Sequence, residues 1–270
     1  MTALRIGVIG CAGRMGKMLV RTVAESEGCL VAGGSERPGS PAIGQDVGVV
    51  AGLEPLGVHV TGDARKLLAA ADAVLEFTSP AATVAHAELA AKTKTVHVIG
   101  TTGLDAAQAA AVERAARHTP IVWAPNMSLG VNLLMLLVEQ VARTLGPDWD
   151  AEILEMHHRH KVDAPSGTAL GLGRVIAAGR GVPLEGVARR GRDGQTGARP
   201  RGEIGFVALR GGDVVGDHTV IFAGEGERIE LTHRATSREI YARGAVQAAR
   251  WARGRAAGLY RMRDVLGFSG

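Results

Sequence analysis

The 270-residue chain is poor in aromatic residues and cysteine, and it has no long apolar run. Phe, Trp and Tyr make up 3% of the sequence, so Val, Leu, Ile and Ala must build most of the core. Two cysteines, Cys11 and Cys29, are too few for a disulfide framework. The longest apolar run, 133–138, is far too short to span a bilayer. A strand pattern that starts at residue 4 leaves no room for a signal peptide, and we expect a cytoplasmic protein with no membrane partner.

The charge pattern does not favour nucleic acid as a partner. Net charge is +4, and arginines concentrate in 189–201 and 243–263. Nucleic-acid-binding segments usually interleave basic residues with aromatics or carry a recognisable reading motif, and neither is present. A solvated arginine-rich surface explains these clusters better.

The first thirty-seven residues contain a pattern typical of dinucleotide-binding proteins. A short apolar strand, 4–9, is followed by the turn Gly10-Cys11-Ala12-Gly13-Arg14-Met15-Gly16 and by an amphipathic helix, 17–25. A second strand, 29–34, leads to Glu36, a carboxylate placed to accept hydrogen bonds from a ribose, and to Arg37, which could instead hold a 2′-phosphate. The spacing is G-x-x-G-x-x-G, a variant of the commoner G-x-G-x-x-G, so the order of strand, turn and helix supports the prediction more than the glycines alone.

The alternation of strands and helices continues as far as residue 124. Further strands are predicted at 73–77, 95–99 and 121–124, and helices at 63–71, 80–92 and 105–117. This order predicts an α/β domain with a doubly wound, Rossmann-type parallel sheet, whose ligand crevice lies beyond the carboxyl ends of the strands. Small polar turns fall on that edge, at Thr78-Ser79-Pro80, Gly100-Thr101-Thr102 and Pro125-Asn126.

The pattern changes in the second half of the chain. After a long apolar helix, 131–145, three strand-like runs at 204–209, 214–222 and 228–233 follow one another with short turns. They suggest a second α+β domain with an antiparallel or mixed sheet. A last helix, 237–253, is expected to return to the first domain. We therefore predict a dinucleotide-binding domain from 1–128 and 237–270, and a substrate-binding and oligomerisation domain from 129–236.

The segment 152–169 carries the most specific chemistry. It places His157, His158 and His160 beside Arg159 and Lys161, between a strand-like run and a helix start at Ser166-Gly167-Thr168. Cations and imidazoles before a helix N-terminus suit the binding of a small, multiply anionic molecule and proton transfer to it. A metal site is less favoured because neighbouring strand residues point to opposite faces and the two cations would repel a metal ion. A solvated basic loop remains the plainer alternative.

The segment 152–169 resembles the signature of the 4-hydroxy-tetrahydrodipicolinate reductase (dihydrodipicolinate reductase) family. The glycine turn, Glu36-Arg37, Phe77-Thr78, Gly100-Thr101-Thr102-Gly103 and Asn126-x-Ser128 also match that family, so the resemblance runs nearly from end to end. It implies hydride transfer from NADH or NADPH to a cyclic, unsaturated dicarboxylate in the diaminopimelate and lysine pathway. It also implies a homotetramer assembled through the sheet of the second domain.

The resemblance assigns roles residue by residue. His157 is the general acid/base, Lys161 a second proton donor and substrate anchor, and His158 a substrate contact, while Gly167 and Thr168 offer N–H groups and a hydroxyl to a carboxylate. The implied cofactor contacts are Gly10, Cys11, Ala12, Gly13, Arg14, Met15, Glu36, Arg37, Gly100, Thr101, Thr102, Ala124, Pro125, Asn126 and Met127.

One position departs from the family pattern, and two other functions are compatible with parts of the sequence. Glu76 stands where Asp is expected before Phe-Thr, which puts the packing beneath the crevice in doubt. Another two-domain reductase of imino or amino acids would share the first half without needing His157 to Thr168, and a nucleotide sensor would have no use for Lys161. The sequence leaves open whether NADH or NADPH is preferred and whether the hydroxylated or dehydrated substrate is bound.

Overall fold

The computed structural model describes residues 2–268, which form two compact units. The first unit comprises the chain up to Leu129 and the chain from Glu239 onward, and the second comprises Gly130–Arg238. The boundaries expected from the sequence, 128/129 and 236/237, lie within two residues of these.

The first unit is built on a seven-stranded sheet in which every pair of neighbours is parallel. The strand order is β12-β6-β5-β4-β1-β2-β3, with strands β1 (Leu4–Ile9), β2 (Cys29–Ser35), β3 (Val60–Thr61), β4 (Ala73–Glu76), β5 (Val96–Ile99), β6 (Pro120–Trp123) and β12 (Gly258–Tyr260). The Rossmann-type parallel sheet predicted from the sequence is confirmed, although the two-residue β3 and the three-residue β12 were too short to leave a pattern.

Helices cover both faces of this sheet. They are α1 (Arg14–Glu25), α2 (Val47–Ala51), α3 (Ala64–Ala70), α4 (Pro80–Thr93), α5 (Ala106–Ala116), α8 (Glu239–Ala252) and α9 (Met262–Val265). Several start where the sequence provides a cap: Asp63 accepts N–H groups at the start of α3, and Asp105 forms a capping box with Gln108 at the start of α5. Buried Leu, Val and Ala side chains from both helical layers meet the strands, as the scarcity of aromatics required.

The second unit contains a five-stranded mixed sheet in the order β11-β10-β7-β9-β8. Its strands are β7 (Asp150–His157), β8 (Ala188–Arg190), β9 (Ile204–Arg210), β10 (Gly216–Ala223) and β11 (Arg228–Ala235). Strands β10 and β11 form the expected antiparallel hairpin, but β9 does not pair with β10. Instead β7 lies between them, antiparallel to β10 and parallel to β9, so the sheet is mixed and not purely antiparallel.

Helices α6 (Leu129–Leu145) and α7 (Gly167–Gly179) complete the second unit's core. Leu134 and Val138 of α6 and Leu172 of α7 pack with the inward residues of β7 and β9, such as Ile153 and Phe206. The segment Leu129–Asp148 is long and apolar enough to cross a membrane by length and composition alone. Val131, Leu134, Val138 and Ala142 form one buried face of this helix, as in an amphipathic helix that packs on a globular core.

Candidate active site

In the first unit, the four segments proposed to hold a cofactor all follow strands of the parallel sheet. Gly10–Met15 follows β1, Glu36 and Arg37 follow β2, Gly100–Thr102 follows β5, and Ala124–Met127 follows β6. Because all these strands are parallel, the four turns lie at the same edge, where open α/β sheets bind their ligands. The structure thus brings the predicted cofactor residues to one edge.

The glycine turn has a shape that only glycine permits at two positions. Gly10 has a φ of +74°, a left-handed conformation in which a side chain would be strained. A Cβ on Gly16 would overlap the carbonyl oxygen of Gly10 and the backbone of Cys11, so glycine at this position lets α1 begin directly against the turn. The N-terminus of α1 is thereby presented at the sheet edge, where it suits a pyrophosphate.

Glu36 is tied to the glycine turn. Its Oε1 accepts the backbone N–H of Ala12 at 2.9 Å, which places a carboxylate beside the turn as a ribose-binding residue requires. Arg37 follows it with an exposed side chain. Cys11 is fully buried, and burial, followed by the charge of Glu36, raises the pKa of its thiol to about 12. Cys11 therefore contributes its backbone and not a reactive thiolate.

The other two turns are interconnected. Thr101 accepts the N–H of Thr78 on its Oγ1 at 3.1 Å, and its carbonyl accepts the indole N–H of Trp123 at 3.2 Å. Ala124 donates its N–H to the carbonyl of Ile99 at 3.1 Å. Thr102 and Pro125 are exposed, Asn126 accepts the N–H of Ser128, and Met127 is buried in the core, so Met127 has only its backbone to offer a ligand.

A buried carboxylate lies beneath these turns at the end of β4. Glu76 is fully buried; its Oε1 lies 2.8 Å from His86 Nδ1 and its Oε2 lies 2.7 Å from His97 Nε2. Thr78 and Thr83 donate their hydroxyls to the same carboxylate. Burial raises the pKa of Glu76, but the hydrogen bonds from the two histidines outweigh burial and leave the pKa well below its usual range. Glu76, which stands where the family pattern has Asp, is thus accommodated by hydrogen bonds from two histidines and two threonines.

In the second unit, His157 is the last residue of β7 and is held by its neighbours. Its Nδ1 lies 2.6 Å from Oε2 of Glu155, which is two residues earlier and therefore on the same face of the strand. The His157 side chain is 11% exposed, and its ring packs edge-on against His218 of β10, with centroids 5.1 Å apart. His157 therefore combines a fixed imidazole with partial solvent access, as proton transfer requires.

Lys161 and His158 lie in the loop that follows β7. The N–H groups of His158 and Arg159 donate to the carbonyls of Val214 and Gly212, which anchors the start of this loop. Lys161 Nζ pairs with Asp163 at 2.8 Å. His158 Nε2 lies 3.5 Å from a guanidinium nitrogen of Arg238, and partial burial, followed by the charge of Arg238, lowers the pKa of His158. The imidazole of His158 and the cations Arg159 and Lys161 thus lie in one loop, directly after His157.

Gly167 and Thr168 open helix α7, as predicted. Ser166 caps the helix by accepting the N–H of Ala169 on its Oγ, and it donates its own N–H to Glu155 at 3.0 Å. Gly167 is exposed and has open space around it. The bond between Ser166 and Glu155 brings the N-terminus of α7 to the strand end that carries His157.

Three residues of this cluster were not predicted from the sequence. Glu155 could have been found, since it shares a strand face with His157. Arg210, which binds Glu155 through both Nη atoms at 2.8 and 2.9 Å, becomes visible only from the parallel register of β7 and β9. His218, 3.0 Å from Ser166 Oγ, becomes visible only from the antiparallel register of β7 and β10, in which it is the partner of Glu155. Within residues 2–268, no group of three or more His, Cys, Asp or Glu side chains is arranged to hold a metal ion.

Comparisons with known proteins match the whole chain. Residues 4–127 match the family model "Dihydrodipicolinate reductase, N-terminus", and residues 130–266 match its C-terminus. The 4-hydroxy-tetrahydrodipicolinate reductases of Parvibaculum lavamentivorans and Methylocella silvestris are each 58% identical to it, covering 99% and 98% of this chain and 99% and 97% of theirs.

A solved structure of the same family also aligns with this chain over nearly its whole length. A dipicolinate-bound dihydrodipicolinate reductase from Paenisporosarcina sp. TG-14 aligns with a TM-score of 0.78 at 25% identity, over 96% of this chain and 97% of that one. An amine dehydrogenase from Mycobacterium smegmatis, at 14% identity and a TM-score of 0.58, shares the fold alone. The two family-model matches and the full-length relatives show that this chain belongs to the dihydrodipicolinate reductase family.

Proposed function

We propose that this protein reduces 4-hydroxy-tetrahydrodipicolinate, or the dihydrodipicolinate formed from it, to tetrahydrodipicolinate with NADH or NADPH. The observation that carries the proposal is the cluster at the end of β7, where His157 is fixed by Glu155 beside the loop that carries Lys161. Relatives of 58% identity bear the reductase's name over the full chain length. The same proposal places the enzyme in the cytoplasm, in the route to diaminopimelate and lysine.

The residues of the first unit fit a nicotinamide dinucleotide. The left-handed Gly10 and the space reserved by Gly16 let α1 present its N-terminal N–H groups to a pyrophosphate. Glu36 would accept the ribose hydroxyls, and Arg37 would pair with a 2′-phosphate when NADPH is bound. The reduced nicotinamide supplies a hydride when it is bound, and the protein binds, orients and protonates.

The residues of the second unit supply charge and a proton. A ring with two carboxylates needs cations and N–H donors, and Lys161, His158 and the N-terminus of α7 at Gly167 and Thr168 offer them. Addition of a hydride to the conjugated ring leaves an electron pair that takes up a proton, which His157 donates and regains from solvent. When the hydroxylated form is the substrate, its hydroxyl and a hydrogen of a neighbouring ring carbon first leave together as water, and the conjugated ring that results accepts the hydride and the proton. The dipicolinate bound in the Paenisporosarcina relative supports a site for planar dicarboxylates.

The open face of the second unit's sheet supports the proposed homotetramer. The face of β7 and β9 that points away from α6 and α7 carries an apolar patch toward the strand ends, beyond the charged Asp150 and Glu152 at the start of β7. In this patch Val207 and Leu209 are 42% and 44% exposed. Leu154 and Met156 are their register partners. A contiguous apolar sheet face of this kind is typical of an interface between subunits.

The deciding experiment is an assay of NADH and NADPH oxidation with the freshly prepared cyclic precursor. Turnover that depends on the precursor supports the reductase. Turnover only with other imino acids would favour a different two-domain reductase, and cofactor binding without any turnover would favour a nucleotide sensor.

A further inference from the structure

Glu155 is a buried carboxylate that joins three structural elements. It is 1% exposed, and its Oε2 contacts His157 Nδ1 at 2.6 Å and Arg210 Nη1 at 2.8 Å. Its Oε1 accepts Arg210 Nη2 at 2.9 Å and the N–H of Ser166 at 3.0 Å. The end of β7, the end of β9 and the start of α7 therefore meet at one carboxylate.

This carboxylate stays ionised despite its burial. Burial raises its pKa, but the hydrogen bonds from Arg210, His157 and Ser166 outweigh burial, and the pKa of Glu155 lies below its ordinary value. The hydrogen bond to Glu155 in turn raises the pKa of Arg210, which is also held by the carbonyl of Asp163 at 2.7 Å. Glu155 is therefore an acceptor without a proton throughout the neutral pH range.

An acceptor without a proton dictates which nitrogen of His157 carries hydrogen. Since Glu155 cannot donate, the nitrogen that faces it, Nδ1, must carry the proton in the neutral ring as well as in the cation. The proton that the ring exchanges with a ligand is then the one on Nε2. The β10 residue beside that atom is Gly216, where a Cβ would stand 3.0 Å from Nε2, so a larger residue at this position would crowd the proton-transfer atom.

We propose that Glu155, held by Arg210, is the positioning residue that fixes His157 as its Nδ1–H tautomer and makes Nε2 the proton-transfer atom. The proposal deepens the proposed function, on which its kinetic part rests. A merely structural Glu155 would link β7, β9 and α7 and leave the tautomer of His157 unaffected. The tautomer of the His157 ring, which ¹⁵N spectroscopy reports, therefore distinguishes the two roles.

The first measurement uses the unchanged protein with ¹⁵N-labelled histidine. The signals of His157 among the nine histidines are assigned by their loss in His157→Gln. We expect the neutral ring to show a protonated Nδ1 and an unprotonated Nε2. A neutral ring protonated on Nε2 overturns the proposal, whatever any variant does, and the result does not depend on which substrate the enzyme uses.

The second measurement is the variant Glu155→Gln, whose amide can donate to Nδ1 as well as accept from it. We expect a mixture of tautomers and a fall in kcat of about a hundredfold or more, with substrate KM and cofactor Kd changing less than about threefold. A substrate KM close to that of the unchanged enzyme also verifies that the second unit, which contains Glu155, is folded. A folded variant with unchanged tautomer and kcat overturns the proposal.

Glu152→Gln is the matched control. Glu152 lies on the same strand and binds two arginines, Arg192 and Arg199, but it points to the opposite sheet face. We expect kcat and the tautomer of His157 to be unchanged. If the unchanged enzyme shows the expected tautomer but no turnover of the dipicolinate precursor, the proposed function fails and the positioning of His157 stands.

Discussion

The imidazole Nε2 of His97 lies 2.7 Å from Oε2 of Glu76, and neither side chain is exposed to solvent. Glu76 also contacts His86 and accepts the hydroxyls of Thr78 and Thr83. The carboxylate thereby connects β4, β5 and α4 directly below the turns at the edge of the parallel sheet.

We expect Glu76→Gln to lower the free energy of unfolding by about 3 kcal/mol, because an amide leaves buried donors of this network unpaired. NADPH should also bind more weakly, since Thr83 links Glu76 to Thr101 through hydroxyl contacts. Urea unfolding and cofactor titration check both effects. The exposed Glu88 of α4 provides the control Glu88→Gln, and equal stability of the two variants would contradict the prediction.

His157→Gln and Lys161→Ala should each retain cofactor binding and lose most turnover. Removal of a general acid typically slows a reaction by about a hundred- to ten-thousand-fold. The cofactor segments belong to the first unit and these two residues to the second, so cofactor Kd should change little. His118→Gln, at an exposed residue outside the motif, serves as control. Near-normal kcat in either variant would remove that residue from its proposed role.

Pyridine-2,6-dicarboxylate should compete with the substrate, and picolinate, with one carboxylate, should bind much more weakly. Lys161, His158 and the N-terminus of α7 offer enough cations and N–H groups for two carboxylates. Inhibition constants for the two compounds measure the difference, and Lys161→Ala should reduce it. Equal inhibition by both compounds would argue against a site for two carboxylates.

Both NADH and NADPH should support turnover, and substitutions of the neighbours Glu36 and Arg37 should shift the preference between them in opposite directions. Arg37→Ala should raise the KM for NADPH far more than that for NADH, by loss of a charge-assisted contact of roughly 1.5–3 kcal/mol. Glu36→Gln should favour NADPH, because it removes a charge that repels the 2′-phosphate and keeps an oxygen for the N–H of Ala12. Steady-state kinetics with each cofactor provide the test. Equal weakening of both by Arg37→Ala would assign Arg37 a stacking or structural role.

His218 should make the protein less stable as the solution becomes acidic. Burial, followed by the charge of His157, lowers the pKa of His218 to about 4 from its ordinary 6.5, with Glu155 opposing and His233 and Lys161 adding to the shift. Between these two values the unfolded chain binds more protons, so stability rises with pH in that window. Across this whole window the free energy of unfolding changes by about 3 kcal/mol.

Urea unfolding at several pH values from 4 to 6.5 measures this dependence. In His218→Gln the slope of stability against pH should become shallower, whatever the absolute stability of the variant. The exposed His118, changed to Gln, should leave the slope as it is. An unaltered slope in His218→Gln would show that His218 does not contribute.

The sequence predicted those parts of the fold that depend on local pattern. The strand from Leu4 to Ile9, the glycine turn and the helix after it form a continuous pattern of apolar periodicity and turn residues. Their order and the strand bounds were predicted correctly, and the helix begins at Arg14, three residues earlier than predicted. The place of β7 between β9 and β10 was not predicted, because consecutive strands carry no signal of an earlier strand inserted between them.

In the candidate site, too, the residues in a local sequence cluster were predicted and their partners from distant strands were not. His157 and Lys161 stand out as residue types in an unusual local cluster. Arg210 lies far along the chain and pairs with Glu155 because β7 and β9 are in parallel register, which residue spacing does not encode. The partners of Glu76 are likewise spread over β4, β5 and α4.

The return of the chain to the first unit reverses the order in which the two units can fold during synthesis. Strand β12 pairs with β6, and α8 packs against β4, β5 and β6, so the first unit lacks an edge strand and a covering helix until the last residues are translated. Every element of the second unit's sheet is encoded earlier, within Gly130–Arg238. On the ribosome, the second unit can therefore complete its fold before the first. Strands β1 to β6 are made earlier but lack α8 and β12 until the C-terminal segment is translated.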